Sequence, residues 1–369
     1  MGVRVDKLGE WTALLREQGQ GEAADEVLRK LEELEEEARS LAQGWAYRGG
    51  ETDDLEEIRR LRPEPFTLPE WDPSEDELSD RLLGALLGRA AGCVLGVPCE
   101  GMTKDEIESA CRSMGVPFPL RDYWPEDPAP CRFGRLQYGT TPRRRFLRPY
   151  MRYAGADDDL AYTVLGLLIL EDYGPDFSSE DVADAWLRYL PFACTAEAVA
   201  LENLRRGLKP PESAREGNPY VHWIGASIRA DPWGYVAAGD PELAAELAHR
   251  DAVVSHRGVG VHGEMFFAAA VAAAFVADDV EEALEAGLAQ IPEGCWLSRA
   301  VRRTMGWARE DGDWTRTVER IYREFGDLSS VHTVGNAALV VAGLVCGEGD
   351  LGRTLGLVVC GGWDTDCNG

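Results

Sequence analysis

Three consecutive aspartates, Asp157, Asp158 and Asp159, stand directly before an apolar run of helical period, and Asp364 and Asp366 stand just beyond another. Carboxylates ordinarily spread over solvated surface, whereas these lie against core-forming sequence. If the fold joins the two groups, their like charges stay ionised only with cations among them. Acid oxygens without a partnering His or Cys pair suit Mg2+, Mn2+ or Ca2+ better than Zn2+. The chemistry they point to is a carboxylate-built metal centre, for one ion or a pair.

Each piece also has a plainer reading. Aspartate is a favoured N-cap and first-turn residue, a role that one Asp fills and three exceed. Asp364, Asp366, Asn368 and Gly369 open like an EF-hand calcium loop, but the bidentate acid of the twelfth position is missing and no second such loop occurs. Half of a shared site explains both clusters at once. Glu100, in Val97-Pro98-Cys99-Glu100-Gly101, is on its own an exposed turn residue; fixed by its Pro and Gly neighbours, it is placed to point into a cleft. The preceding run from Gly84 to Gly96 sets small residues at helical spacing, which predicts close packing against neighbours.

The elements that must position these acids read as helices. Leu14, Leu15, Leu28, Leu31, Leu34 and Leu41 predict an amphipathic hairpin broken at Gly19 to Gly21. It is either a partner or self-association surface or a helical extension packed on the main domain. Residues 1–61 are read as that extension and 62–75 as a Pro-rich linker. Ser74 and Glu77 then supply a capping box for a helix through Leu82, Leu83, Leu86 and Leu87. Helical period recurs at 160–171, 180–190, 241–254, 261–277, 280–290, 317–325 and 334–346, and 115–150 reads as a long ordered loop. With no series of alternating strands, the main domain, 76–369, is expected to be all-α.

Composition narrows the partners. A 45% hydrophobic content provides for a core, and the net charge of -27 disfavours nucleic acid and anionic membranes. Nine scattered cysteines without a CxxC pair, and an N-terminus without a signal-like apolar run, predict a reduced cytoplasmic protein. His222, His249 and His262 read as packing residues rather than ligands of hard ions.

In order and separation, the Gly84–Gly101 segment, the triple-Asp helix start and the ending Gly361-Gly362-Trp363-Asp364-Thr365-Asp366-Cys367-Asn368-Gly369 resemble the ADP-ribosylglycohydrolase family. Trp223 to Arg229 looks like its substrate loop, Ser255-His256 and Gly263 to Ala269 like its next helix, and Val331 to Ala338 like the approach to its second aspartate pair. The resemblance covers about residues 76–369. It implies a compact, orthogonal multi-helix all-α domain with a central cleft holding two Mg2+ or Mn2+ ions. The implied metal ligands are Glu100, Asp157, Asp158, Asp159, Asp364, Asp366 and the Cys367 position. Glu100 or Asp158 is the implied general base. Gly225, Ala226, Ser227, Arg229 and His256 are implied to bind substrate, with Arg229 on the pyrophosphate. Three residues depart from the family pattern: Asp157 replaces a Thr, Cys367 a ligating Thr, and Cys93 an Asp that supports the ligands. The family continues past this motif, so the usual C-terminal helix and tail are expected to be lacking. The expected activity is hydrolysis at C1'' of an ADP-ribosyl group, carried by a protein or a small molecule. The alternatives are an N-glycosidase acting on a non-nucleotide riboside, and a non-catalytic member of the same fold.

Overall fold

The computed structural model describes residues 8–46, 51–128 and 141–369. Among these residues regular structure is helical, with two isolated bridge pairs and no sheet. The chain divides into Met1–Arg48 and Gly49–Gly369. In the first unit α1 (Leu8–Glu17) and α2 (Gly21–Ala46) pack as a hairpin. Gly19 turns the chain between them at φ +75°, a conformation glycine adopts without steric cost.

The second unit opens with α3 (Leu55–Leu61), α4 (Glu75–Gly96), α5 (Lys104–Met114), α6 (Asp158–Tyr173), α7 (Ser179–Tyr189) and α8 (Thr195–Arg205). Short α9 (Glu212–Arg215) and α10 (Asp231–Val236) follow, then α11 (Pro241–Ala252), α12 (Val259–Ala273) and α13 (Val280–Leu288). The chain finishes with α14 (Trp296–Asp311), α15 (Trp314–Phe325), α16 (Thr333–Gly347), α17 (Leu351–Cys360) and the turn α18 (Thr365–Asn368). Nearly all of α12 is buried, because Ala and Gly on most of its faces let α10, α11 and α13 approach together. A second nucleus stacks α14, α15 and α17 around α16.

Helices α6, α7, α11, α12, α13, α15 and α16 lie where apolar period predicts them. Helices α5, α8, α14 and α17 were not anticipated. In α14 the buried stripe Leu297, Ala300, Val301, Thr304, Met305 and Ala308 is interrupted by four arginines, which hide the period. Ser74 caps α4 as expected, accepting from the Glu77 N–H at 3.2 Å, but the Glu77 carboxylate turns to Trp71 and Arg81 and no reciprocal box forms.

Two expectations need correcting. Residues 51–61, read with the N-terminal extension, belong to the main unit. Glu51 accepts from the Trp296 N–H, the Thr52 and Asp53 carbonyls meet His262 and His249, and Asp53 pairs with Arg257. The small-residue face of α4 is also packed over only part of its length. Among the described residues nothing lies within 4 Å of the place a Cβ would take at Gly84 or Gly88, whereas Gly92 and Gly96 are pressed against backbone. Of the loop expected over 115–150, residues 115–128 and 141–150 are irregular apart from a turn at Arg143–Phe146; 129–140 lie outside the described residues. By length and composition Glu75–Cys99 could cross a membrane. Its C-terminal half is instead core, and Arg89 within it is ion-paired to Asp231 at 3.0 Å.

Candidate metal centre

Asp157 is the N-cap of α6, its Oδ1 accepting from the Asp159 N–H at 3.3 Å. Asp158 and Asp159 follow in the first turn of that helix start. Arg89 of α4 fixes this start from below. It donates to the carbonyls of Asp159 and Ile228 and lies 3.9 Å from the Asp159 carboxylate. One guanidinium thereby ties α4, α6 and the 224–229 loop together.

The second acid pair is delivered by backbone pairing. Gly101 N–H donates to the Trp363 carbonyl and Trp363 N–H to the Met102 carbonyl, each at 2.7 Å. This two-way bond sets Glu100 beside Asp364. Gly362 at φ +90° and Trp363 at φ +64° make the sharp entry into α18. Asn336 holds that turn, its Oδ1 accepting from Asp364 N–H at 3.3 Å and from the Asn368 side-chain amide at 2.8 Å. The turn then lies directly on α4. Thr365 Oγ1 donates to the Gly96 carbonyl at 2.8 Å, and a Cβ on Gly96 would sit 2.2 Å from the Thr365 carbonyl oxygen. Glycine is required there by contact, not by φ.

These supports bring the two distant clusters together. Ligand atoms of Glu100, Asp364 and Asp366 lie within 4.8 Å of one another, as do those of Asp159, Asp366 and Cys367, and those of Cys93, Asp157 and Asp159. Asp159 and Asp366 are each shared by two sets. Burial raises Asp158, Asp159 and Asp366 well above the ordinary carboxylate range, and neighbouring acids add to it. Burial likewise raises Asp364. Glu100 is pushed up to about 8 by burial and then by Asp364 and Asp157. Such a cluster is costly as anions unless cations enter it.

The residues fit such cations. Asp159 is 1% exposed and, among the described residues, its Oδ2 has no hydrogen-bond partner. A buried, unpaired carboxylate oxygen between two further acids is the environment a divalent ion satisfies. The EF-hand reading does not hold, since the partners of Asp364 and Asp366 come from other elements.

A cavity of about 60 Å³ opens onto the cluster, and its lining includes Glu100, Asp158, Asp364, Asp366 and Cys367 together with Glu197, Trp223 and Gly225. Organic ligand pockets usually exceed about 300 Å³, so a large substrate must lie across the mouth rather than inside. Asp158 lines this cavity but belongs to none of the three-donor sets. Of the implied substrate residues, Gly225 lines it. Ala226 is fully buried, and Ser227 faces a wider, mostly apolar groove of about 590 Å³ that includes Gly84, Gly88 and Phe267.

Arg229 does not face the cavity. Its guanidinium is enclosed by Asp251 at 2.6 Å, Glu197 at 2.8 Å and Glu264 at 3.3 Å, with Trp186 and Tyr162 rings alongside. Three buried carboxylates outcompete any pyrophosphate for that fork. His256 is also fully buried; its Nδ1 meets Ser255 Oγ at 2.8 Å.

Sequence reasoning missed Glu197. Its carboxylate takes the Arg229 bond on Oε1 and faces Thr195 Oγ1 at 3.4 Å on Oε2. A Cβ at Gly225 would lie 2.0 Å from Glu197 Oε1, so this acid dictates the loop glycine. Thr195 carries φ +46°, a strained value for a β-branched residue, beside the same cavity. No spacing signal marks Thr195-Ala196-Glu197, because the distant partner of Glu197, Arg229, comes from the 224–229 loop.

Comparison with known proteins agrees with this architecture. The ADP-ribosylglycohydrolase family model matches residues 74–369. A chain of a solved ADP-ribosylglycohydrolase-related protein complex superposes with a TM-score of 0.50 at 21% identity, covering 79% of this chain and 84% of that one. At that identity the likeness concerns the fold. No curated protein matches the sequence.

Proposed function

The chain belongs to the ADP-ribosylglycohydrolase family, and from that premise we propose a divalent-metal-dependent hydrolase that cleaves the C1'' glycosidic bond of an ADP-ribosyl group on a protein or small molecule. The observation that carries this reading is the meeting of Glu100, Asp364 and Asp366 at one cavity, with the buried Asp159 joined to them through the donor set it shares with Asp366. Glu100, Asp157, Asp159, Asp364, Asp366 and Cys367 would hold the cations. When bound, these supply Lewis-acid polarisation of ribose hydroxyls and an acidified water.

The protein's own groups do the rest. Asp158 faces the cavity outside the three-donor sets, which leaves it free to take a proton from the attacking water, with Glu100 as the alternative. Oxygen from that water bonds to C1'' as the bond to the aglycone breaks, and the departing group takes up a proton. The acid-lined wall favours the positive character that develops on the ribose. Glu197, fixed by Arg229, offers a rigid acceptor for a substrate hydroxyl or amide. Trp223 at the rim gives the sugar or base a flat face to rest on.

The direct test is release of free ADP-ribose from ADP-ribosylated protein and from small ADP-ribosyl compounds, in Mg2+, Mn2+ or chelator. Cation-dependent release that Asp158→Asn reduces by about 100-fold or more supports the assignment. Turnover confined to ribosides lacking the diphosphate would make the chain an N-glycosidase. Metal uptake without any turnover would make it a binding member of the fold.

A further inference from the structure

The donor set at this site is not made of oxygen alone. Cys367 Sγ shares a 4.8 Å set with Asp159 and Asp366, and Cys93 Sγ shares another with Asp157 and Asp159. Two thiols thus flank one carboxylate, and that carboxylate is the one with the buried, unpartnered oxygen. Both cysteines are free. They reach the site from two elements, Cys93 from α4 and Cys367 from the terminal turn.

A buried thiol often serves only as a small hydrophobe, and Cys93 does touch the apolar group Val94, Val97 and Phe146. What sets it apart is its other side, where two acids stand within coordination reach. Mg2+ takes nearly all-oxygen, octahedral surroundings and sheds water reluctantly, whereas thiolate ligands favour later first-row ions.

We propose that Cys93 and Cys367 make this a mixed thiolate–carboxylate centre that selects a borderline first-row transition ion, of the Fe2+, Co2+ or Zn2+ class, over Mg2+. Each thiol that ligates releases its proton to solvent, and the Asp159 oxygen gains the partner it lacks. The inference rests on the metal-dependent reading above and specifies which ions that site takes.

The test uses the full chain, stripped of metal and titrated with Co2+ while near-ultraviolet absorption is followed. Thiolate-to-cobalt charge transfer should appear on binding, and Cys367→Ser should abolish most of it while weakening cobalt affinity by about 10- to 100-fold. Cys93→Ser should reduce the remainder, and Cys93→Ala, with no added buried hydroxyl, should give the same spectrum. Mg2+ should displace cobalt only at large excess. Cobalt bound without the band, a band unchanged in both Cys variants, or ready displacement by Mg2+ would each overturn the inference while leaving an oxygen-ligated centre standing. Failure of Co2+, Mn2+ and Mg2+ all to bind would remove the metal-dependent reading and this inference together.

Discussion

Arg229 shows how a single residue changes meaning once its surroundings are known. In a loop that resembles a substrate loop, an arginine reads as an anion clamp. In the fold it is 2% exposed, and its guanidinium is taken up by Glu197, Asp251 and Glu264. Removing it would strand three buried acids, so Arg229→Met is expected to cost about 3–5 kcal/mol in denaturant unfolding, the penalty for breaking a buried ion pair. A phosphate-binding role would instead leave stability unchanged and weaken only substrate affinity. The acids Asp157, Asp158, Asp159, Asp364 and Asp366 were legible in the sequence because carboxylates beside core sequence demand an explanation. Glu197 was not, since nothing in Thr195-Ala196-Glu197 differs from an ordinary helix start.

At the scale of elements, the site depends on one helix lying flush against one turn. Gly92 and Gly96 of α4 permit this, and Gly84 and Gly88 have no comparable neighbour. The expected contrast is sharp. Gly84→Ala should stabilise by about 0.5–1 kcal/mol through helix propensity. Gly96→Ala should push the Thr365 turn away and weaken divalent-ion uptake by an order of magnitude, read by titration calorimetry. Equal effects from the two substitutions would show that the turn is not seated by glycine contact. Helices with uninterrupted apolar period, such as α6 and α16, could be placed from sequence. Helix α14 could not, because its arginines fall between core positions, and the bridge that sets Glu100 beside Asp364 is a backbone contact with no side-chain signature.

For the molecule as a whole, the segment at 51–54 acts as a tie across α11, α12 and α14, and its stability contribution depends on pH. Burial pushes the Glu51 carboxyl up from 4.5 to about 7. An acid with a raised folded-state pKa contributes stability below its ordinary value, and that contribution is lost as pH climbs through the folded one. The window is therefore about 4.5 to 7. His262, 3.8 Å away, is lowered to about 4 by burial and is kept in a Glu51→Gln variant, so its opposing titration cancels when that variant is compared with the wild type. Glu51→Gln, which can still accept from Trp296, should match the wild type near pH 4.5 and exceed it by about 1–3 kcal/mol above pH 7.5. Thermal melts across that range read the difference, and parallel curves would contradict it. A net charge of -27 adds a general reason for cations to stabilise this chain, so stabilisation by added salt does not identify the site.

Site-bound metal does. Elemental analysis of the purified full chain after equilibrium dialysis is expected to find about two divalent ions per molecule, falling sharply in both Asp159→Asn and Asp366→Asn, the acids shared between donor sets. A chain that retains no divalent ion, or two variants that retain as much as the wild type, would mean that these buried carboxylates meet for some purpose other than holding metal.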